Sequence, residues 1–341
     1  MKVSFVEFGK SYKEIKGEIL KEIDRVLSVG DLILRDDVKK FEENLANFIG
    51  KKYAVGLNSG TDALYLSLKV LGIKSGDEVI TSGYTFWATI EAIINCGATP
   101  ILADIKEDLL INPEDIKRKI TTKTKAIIPV HIGGTICDME KICEITNFFG
   151  LFLIDDACQA LGVGKFYGEI SCFSFYPAKI LGGFGDGGAI TTNDKELTDK
   201  IKLLRNHGGK PHPQLVGYNS RLDNLQAAIL NIKLKSLPKI IKRRREIAKI
   251  YDEKLKDIKE ILLPISQVYQ EYNIKSKERD ELYEFLKENE IETIKGDYTF
   301  PIEVPENCKK ANQEVLRLPI WPTLKDNQIK YICQKINEFY N

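Results

Sequence analysis

Between Tyr53 and Thr192, short apolar, β-rich runs alternate with longer amphipathic stretches, and this alternation leaves few architectures open. The runs are Tyr53–Leu57, Glu78–Thr81, Thr99–Ala103, Ala126–Val130, Phe152–Ile154, Cys172–Phe175 and Ala189–Thr192. They are nearly continuous in apolar residues, as strands must be when both faces of a parallel sheet are covered. Between them, TDALYLSLKVLGI from Thr61 and DMEKICEITNFFG from Asp138 carry helical spacing, and Gly150 marks the end of the second. The pattern predicts an α/β fold with a mostly parallel seven-stranded sheet covered by helices.

After Asn219 the texture changes. LDNLQAAILNIKLKSL reads as a helix that stops before Pro238, and IKRRREIAKIYDEKLKDI as a second, charged helix. Further helical patterns occupy Glu278–Asn289 and Asp326–Tyr340. The 341 residues exceed what one growing core serves. Residues 1–237 are therefore expected to form a large domain and residues 238–341 a smaller α+β domain. The helical segment Glu14–Leu27 has no strand partner and is expected to pack on either of them.

Fifty basic and 49 acidic residues leave a formal charge of +1. No global field draws such a chain to nucleic acid or an anionic membrane. No apolar run has the length of a membrane span, and charges interrupt the opening MKVSFVEFGKSYKEIKGEI too often for a signal peptide. Seven cysteines, without a C-x-x-C pair, point to a reducing, cytoplasmic setting with neither a disulfide framework nor a metal site.

Several strand ends carry groups with chemical potential. In LGGFGDGGA, Gly183, Gly185 and Gly188 fit a G-x-G-x-x-G pattern, but the following AITT reads as strand where a dinucleotide site needs a helix. A turn in which backbones pass closely is the favoured reading. Just before it stands Lys179, beyond the apolar strand at Cys172. It is either an ordinary loop lysine or one held in a pocket with a lowered pKa, as a Schiff-base lysine is. Asp155 and Asp156 end another apolar strand, where open α/β sheets bind ligands; a cap or a loop charge is the plainer alternative. Ser59-Gly60-Thr61 opens a helix after a strand. That is a phosphate cradle or simple capping. Tyr84, Phe86 and Trp87 form either a core cluster or a surface on which a flat cofactor stacks. Arg243-Arg244-Arg245 points in three directions on a helix and reads as a solvated face, with contact of one arginine to a diphosphate as the alternative.

Together these segments closely resemble the DegT/DnrJ/StrS family of sugar aminotransferases, within the fold-type-I enzymes that depend on pyridoxal 5′-phosphate (PLP). NSGTDAL, GDEVIT, YTFWAT, GATPILADI, TKTKAIIPVH, IDDACQA, CFSFYPAK, GDGGAITTND, LLRNHG and GYNSRLDNLQAAIL follow one another in the family's order from Val29 to Lys249. The resemblance implies a Schiff-base role and proton transfer for Lys179. It implies a pyridine-nitrogen partner in Asp156 and a residue against the ring face or phenolic oxygen in Gln159. Ser174, Gly60 and Thr61 match phosphate contacts, Phe86 the stacking aromatic, and Asn219 a residue reaching the phosphate in the partner subunit of a homodimer with shared active sites. His207, in RNHG, matches a motif without an assigned role. The implied activity moves an amino group, from glutamate by resemblance, to a nucleotide-linked keto-sugar in amino-sugar or surface-polysaccharide biosynthesis.

Three segments depart from the family: a short DDACQALGVGKFYGEISCFSF, HIGGTICDM in place of an HLYGQPADM-like stretch, and a trimmed region between Tyr298 and Leu316. In the family these regions help hold the sugar and nucleotide. A family member with a smaller substrate, or a PLP-binding regulator, is therefore the alternative. A sugar dehydrase would carry histidine where Lys179 stands, and a cysteine desulfurase would stack histidine where Phe86 stands. A nicotinamide-dependent oxidoreductase lacks its Rossmann start.

Overall fold

The computed structural model describes residues 1–341. Helices α1 (Phe8–Val29) and α2 (Asp36–Ile49) lead into β1 (Tyr53–Leu57), α3 (Gly60–Val70), β2 (Glu78–Ser82), α4 (Trp87–Asn95) and β3 (Thr99–Ala103). The alternation continues through α5 (Pro113–Lys119), β4 (Thr124–Ile128), α6 (Met139–Phe149), β5 (Phe152–Asp156), β6 (Ile170–Ser174) and β7 (Gly188–Thr192). Then come α7 (Lys195–Leu204), α8 (Asn224–Leu255), β8 (Ile261–Leu262), β9 (Tyr272–Ser276) and α9 (Arg279–Glu288). β10 (Ile294–Lys295), α10 (Glu306–Glu314), β11 (Val315–Leu318) and α11 (Asp326–Tyr340) complete the chain.

All seven expected strands are present, each with bounds shifted by two residues or fewer. They form one sheet in the order β1-β7-β6-β5-β4-β2-β3. Only β7 runs antiparallel to its neighbours, β1 and β6. Apolar clusters fill both faces. One joins α2 and the first half of α8 to the sheet, and another joins α3 and α4. The second sheet has four antiparallel strands in the order β10-β11-β9-β8 and a core of its own. No helix is long and apolar enough to cross a membrane.

Strand β1 is an edge, and its outward backbone groups need partners. At Gly56 the N–H donates to the Glu42 carboxylate at 2.8 Å, and the carbonyl accepts from Arg205 at 2.9 Å. Glu42 and Arg205 also pair with each other, and both are nearly buried. Glu42→Ala strands a buried guanidinium and a backbone N–H, and removal of one buried partner costs about 3–5 kcal/mol. A lower denaturant midpoint at unchanged slope is the expected result.

The expected helix stop before Pro238 does not occur: α8 continues through Pro238 for 32 residues. Pro238 forfeits one i→i−4 bond and crowds the preceding turn. The helix tolerates this because buried Leu234, Leu237 and Ile241 hold it to the large sheet. Farther along, Ile247, Ala248, Tyr251 and Leu255 belong to the core of the second sheet. The two cores thus change over between Ile241 and Ile247, inside a helix. Val3 also belongs to the second core and bridges to Ile291, so the chain's start joins the C-terminal unit.

Candidate active site

The C-terminal ends of the parallel strands and the second sheet enclose a cleft of about 530 Å³. Gly60, Thr61, Phe86, Asp156, Gln159, Ser174 and Lys179 all line it. Asn219 does not. It is exposed, and its backbone bridges to Asn206.

Strand alternation separates the two aspartates. Asp155 points away from the cleft and is fully buried. Its Oδ2 accepts from the N–H groups of Tyr167 and Gly168 and from the Ser171 hydroxyl at 2.9–3.0 Å, and its Oδ1 faces His131 Nε2 at 3.5 Å. Burial pushes its pKa up, but His131 and these donors outweigh it and hold the carboxyl below its ordinary value. Asp156 is 5% exposed and faces the cleft. Its Oδ2 accepts from the Thr89 hydroxyl at 2.7 Å, and its Oδ1 from the Cys158 N–H at 3.2 Å. Thr89 in turn contacts Thr85 at 2.9 Å. These threonines sit four apart in YTFWAT, one turn apart at the start of α4, a spacing from which the contact could have been read.

At the opposite wall, α3 begins. Ser59 caps it, its hydroxyl accepting from the Asp62 N–H at 3.0 Å. The N–H groups of Gly60 and Thr61 lie in the first turn, where helices have no internal acceptor. A Cβ on Gly60 would fall 2.7 Å from the Ser174 Cβ, and one on Gly188 2.1 Å from the Ser59 carbonyl. The glycine-rich turn therefore serves close backbone approach, as expected, and β7 follows it. These donors, the Ser174 hydroxyl and the α3 dipole together suit a phosphate. A buried carboxylate and a lysine stand in the same cleft, so the donor set fits a phosphorylated, nitrogen-containing aldehyde.

Phe86 is 62% exposed at the mouth of α4. Trp87 turns instead to Phe300, with ring centroids 5.5 Å apart. The Gln159 Oε1 accepts from the Gly133 N–H at 2.6 Å, which fixes its amide.

The second sheet supplies the wall that sequence reading missed. Gln270 reaches across: its Nε2 donates to the Ala178 carbonyl at 3.0 Å, and its Oε1 accepts from the Ile180 N–H at 2.8 Å. Both bonds flank Lys179. Arg244 Nη1 donates to the carbonyls of Tyr269 and Gln270 at 2.9 and 3.2 Å, behind this clamp. The solvated face read for the arginine triplet is corrected at Arg244, which is 2% exposed, packs over Trp321 and lines the cleft. Burial pulls its pKa down to about 10. Arg243 instead pairs with Asp326 at 2.7 Å. Gln270→Leu keeps the bulk and removes both bonds. The Ile180 amide is then expected to exchange with solvent about tenfold faster, the equivalent of one hydrogen bond, by mass-resolved hydrogen exchange.

Such a sheet, with ligand groups converging at its strand ends, defines an α/β protein with its binding cleft at the carboxyl ends of the strands. The profile of the DegT/DnrJ/EryC1/StrS aminotransferase family matches residues 13–337, and the chain belongs to this family. A pleiotropic regulatory protein of Geobacillus stearothermophilus is 39% identical, over 100% of this chain and 99% of its own. That alignment spans 370 positions against 341 residues here, so it opens gaps within this chain. A UDP-2-acetamido-2-deoxy-3-oxo-D-glucuronate aminotransferase of Pseudomonas aeruginosa is 37% identical, over 97% and 98%. Among solved structures, S. venezuelae DesV in complex with a ketimine intermediate superposes with a TM-score of 0.97 at 35% identity, covering 100% of this chain and 99% of that one.

Proposed function

We propose that this chain is a PLP-dependent transaminase that moves an amino group from an amino acid, with glutamate the first candidate, to a nucleotide-linked keto-sugar. The carrying observation is the convergence of Lys179, Asp156 and the start of α3 in one cleft. The cofactor, when bound, supplies an electron sink for the negative charge formed at the donor carbon. Lys179 would hold it and would serve as the proton carrier of the reaction. Asp156, fixed by Thr89 and Cys158, would hold positive charge on the ring nitrogen. Gly60, Thr61 and Ser174 would bind the phosphate, and Phe86 and Gln159, which line the same cleft, would contact the ring. Asn219, which lies outside the single-chain cleft, would reach the phosphate of the partner subunit in a homodimer. We further propose that the large unit ends and the small one begins where the cores change over on α8.

The test is the visible spectrum of the PLP-loaded protein before and after addition of glutamate. A yellow band that fades to a pyridoxamine-like spectrum is the expected result. A band indifferent to every amino acid favours the second reading, a cofactor-binding regulator. That reading draws on the regulatory relative and on the three segments that depart from the family's pattern.

A further inference from the structure

Tyr269 sits in a backbone conformation that its side chain opposes. Its φ is 50°, in the left-handed region. A bulky residue there is an outlier, disfavoured about 5- to 30-fold against its ordinary conformations. Such a residue persists only where its surroundings hold it, and held backbone of this kind clusters at functional sites. Tyr269 belongs to the turn of residues 266–270 that leads into β9. Its N–H donates to the Ser266 hydroxyl at 3.2 Å, and that hydroxyl donates to the Gly133 carbonyl at 3.2 Å. The turn lies against the Gly133-Gly134 pair: a Cβ on Gly134 would fall 2.6 Å from Val268 Cγ2 and 3.1 Å from the Gln270 nitrogen. Gly133 is also the residue whose N–H fixes Gln159.

Arg244 holds this turn from α8. One of its nitrogens, Nη1, donates to two successive carbonyls, those of Tyr269 and Gln270. Its guanidinium rests over Trp321, 5.6 Å from the ring centroid, and the side chain is buried. Both acceptors are carbonyls, and Glu271 acts on the charge only from a distance. A buried cation without an ion pair is costly to keep. The task its bonds show is to fix the peptide that joins Tyr269 to Gln270. From that peptide the Gln270 side chain crosses the cleft and makes its two bonds on either side of Lys179. Resting on the transaminase reading for the role of Lys179, we propose that Arg244 is a positioning residue: it holds Tyr269 in the left-handed conformation and so aims Gln270 at the turn that carries Lys179.

The experiment is mass-resolved hydrogen exchange on the full chain with PLP present, read at the Ile180 amide. Arg244→Met is expected to speed that exchange at least about tenfold, the equivalent of one hydrogen bond, while the amides of β9 and β11 keep their protection. Arg244→Lys keeps the charge without the planar head and is expected to fall between Met and wild type. The deciding variant joins Arg244→Met to Tyr269→Gly. Glycine enters the left-handed region without penalty, so this double variant is expected to return to within about threefold of wild type, and Tyr269→Gly alone to match wild type. A general loosening of the fold would not be repaired by a glycine that removes further packing. With glutamate, Arg244→Met is expected to lower the maximal rate of spectral change about tenfold or more at nearly unchanged half-saturation, and the double variant to restore it. Ile180 exchange in Arg244→Met within about twofold of wild type overturns the proposal, and so does a rise that the glycine fails to repair. If Arg244→Met does not fold, Arg244→Lys takes its place, and exchange unchanged from wild type overturns the proposal. Exchange needs no amino donor. A wild-type visible band that ignores every donor therefore sinks the transaminase reading, while the Ile180 amide still decides what Arg244 does.

Discussion

The Lys179→Ala chain is expected to lose transamination by at least about 10²–10⁴-fold, the range set by one proton-transferring group, and to keep its melting temperature within a few degrees. Both halves follow from position. Lys179 lines the cleft and is only half-buried, so its side chain carries little of the core. The turn around it is closed by backbone, the Lys179 N–H donating to the Tyr176 carbonyl at 2.8 Å, and by Gln270 on either side. Alanine leaves all of these bonds in place. Turnover with glutamate, set beside a thermal melt by circular dichroism, checks the pair of statements. Full activity in this variant would end the proposed mechanism.

Asp156→Asn is expected to lower kcat by about 10²–10³-fold, the effect of one preorganised electrostatic group. The change preserves shape. The Cys158 N–H still has an acceptor at Oδ1, and the Thr89 hydroxyl can turn to accept from the new amide. What vanishes is the negative charge that would keep a ring nitrogen protonated and the ring electron-poor. In the proposed site the phosphate would be held by α3 and Ser174, so PLP binding should change far less than kcat. Titration of the apo-protein with PLP, alongside single-turnover rates, separates the two effects. A kcat within threefold of wild type would remove Asp156 from the proposed site.

Much of this was legible in the sequence, for a physical reason. Each strand of the large sheet is buried on both faces, so its apolar run is nearly unbroken, and the groups at its end are local in sequence. Lys179, Asp156, Ser174 and the Ser59–Thr61 turn could therefore be picked out one strand at a time. The second wall had no such signature. Gln270, Glu271, Tyr298 and Arg317 come from short, separate segments, and the β9–β11 pairing brings their strands together only in the folded chain. The arginine triplet was misread for a related reason. Consecutive helix positions do diverge, but α8 is enclosed at Arg244 by Trp321 and the Tyr269–Gln270 backbone, which local spacing does not reveal. Pro238 misled as well, because a proline's local cost was weighed without the packing on both sides of it.

That unbroken helix limits how the cleft can breathe. Two bodies joined by a flexible linker swing freely, but here a single beam is bolted into both, by Leu234, Leu237 and Ile241 at one end and by Ile247, Tyr251 and Leu255 at the other. Opening the cleft means flexing the beam. It yields most cheaply near Pro238, where the Leu234 carbonyl has no i+4 N–H to hold it. Any change in the gap between Lys179 and the second sheet is therefore tied to the bending of this one helix.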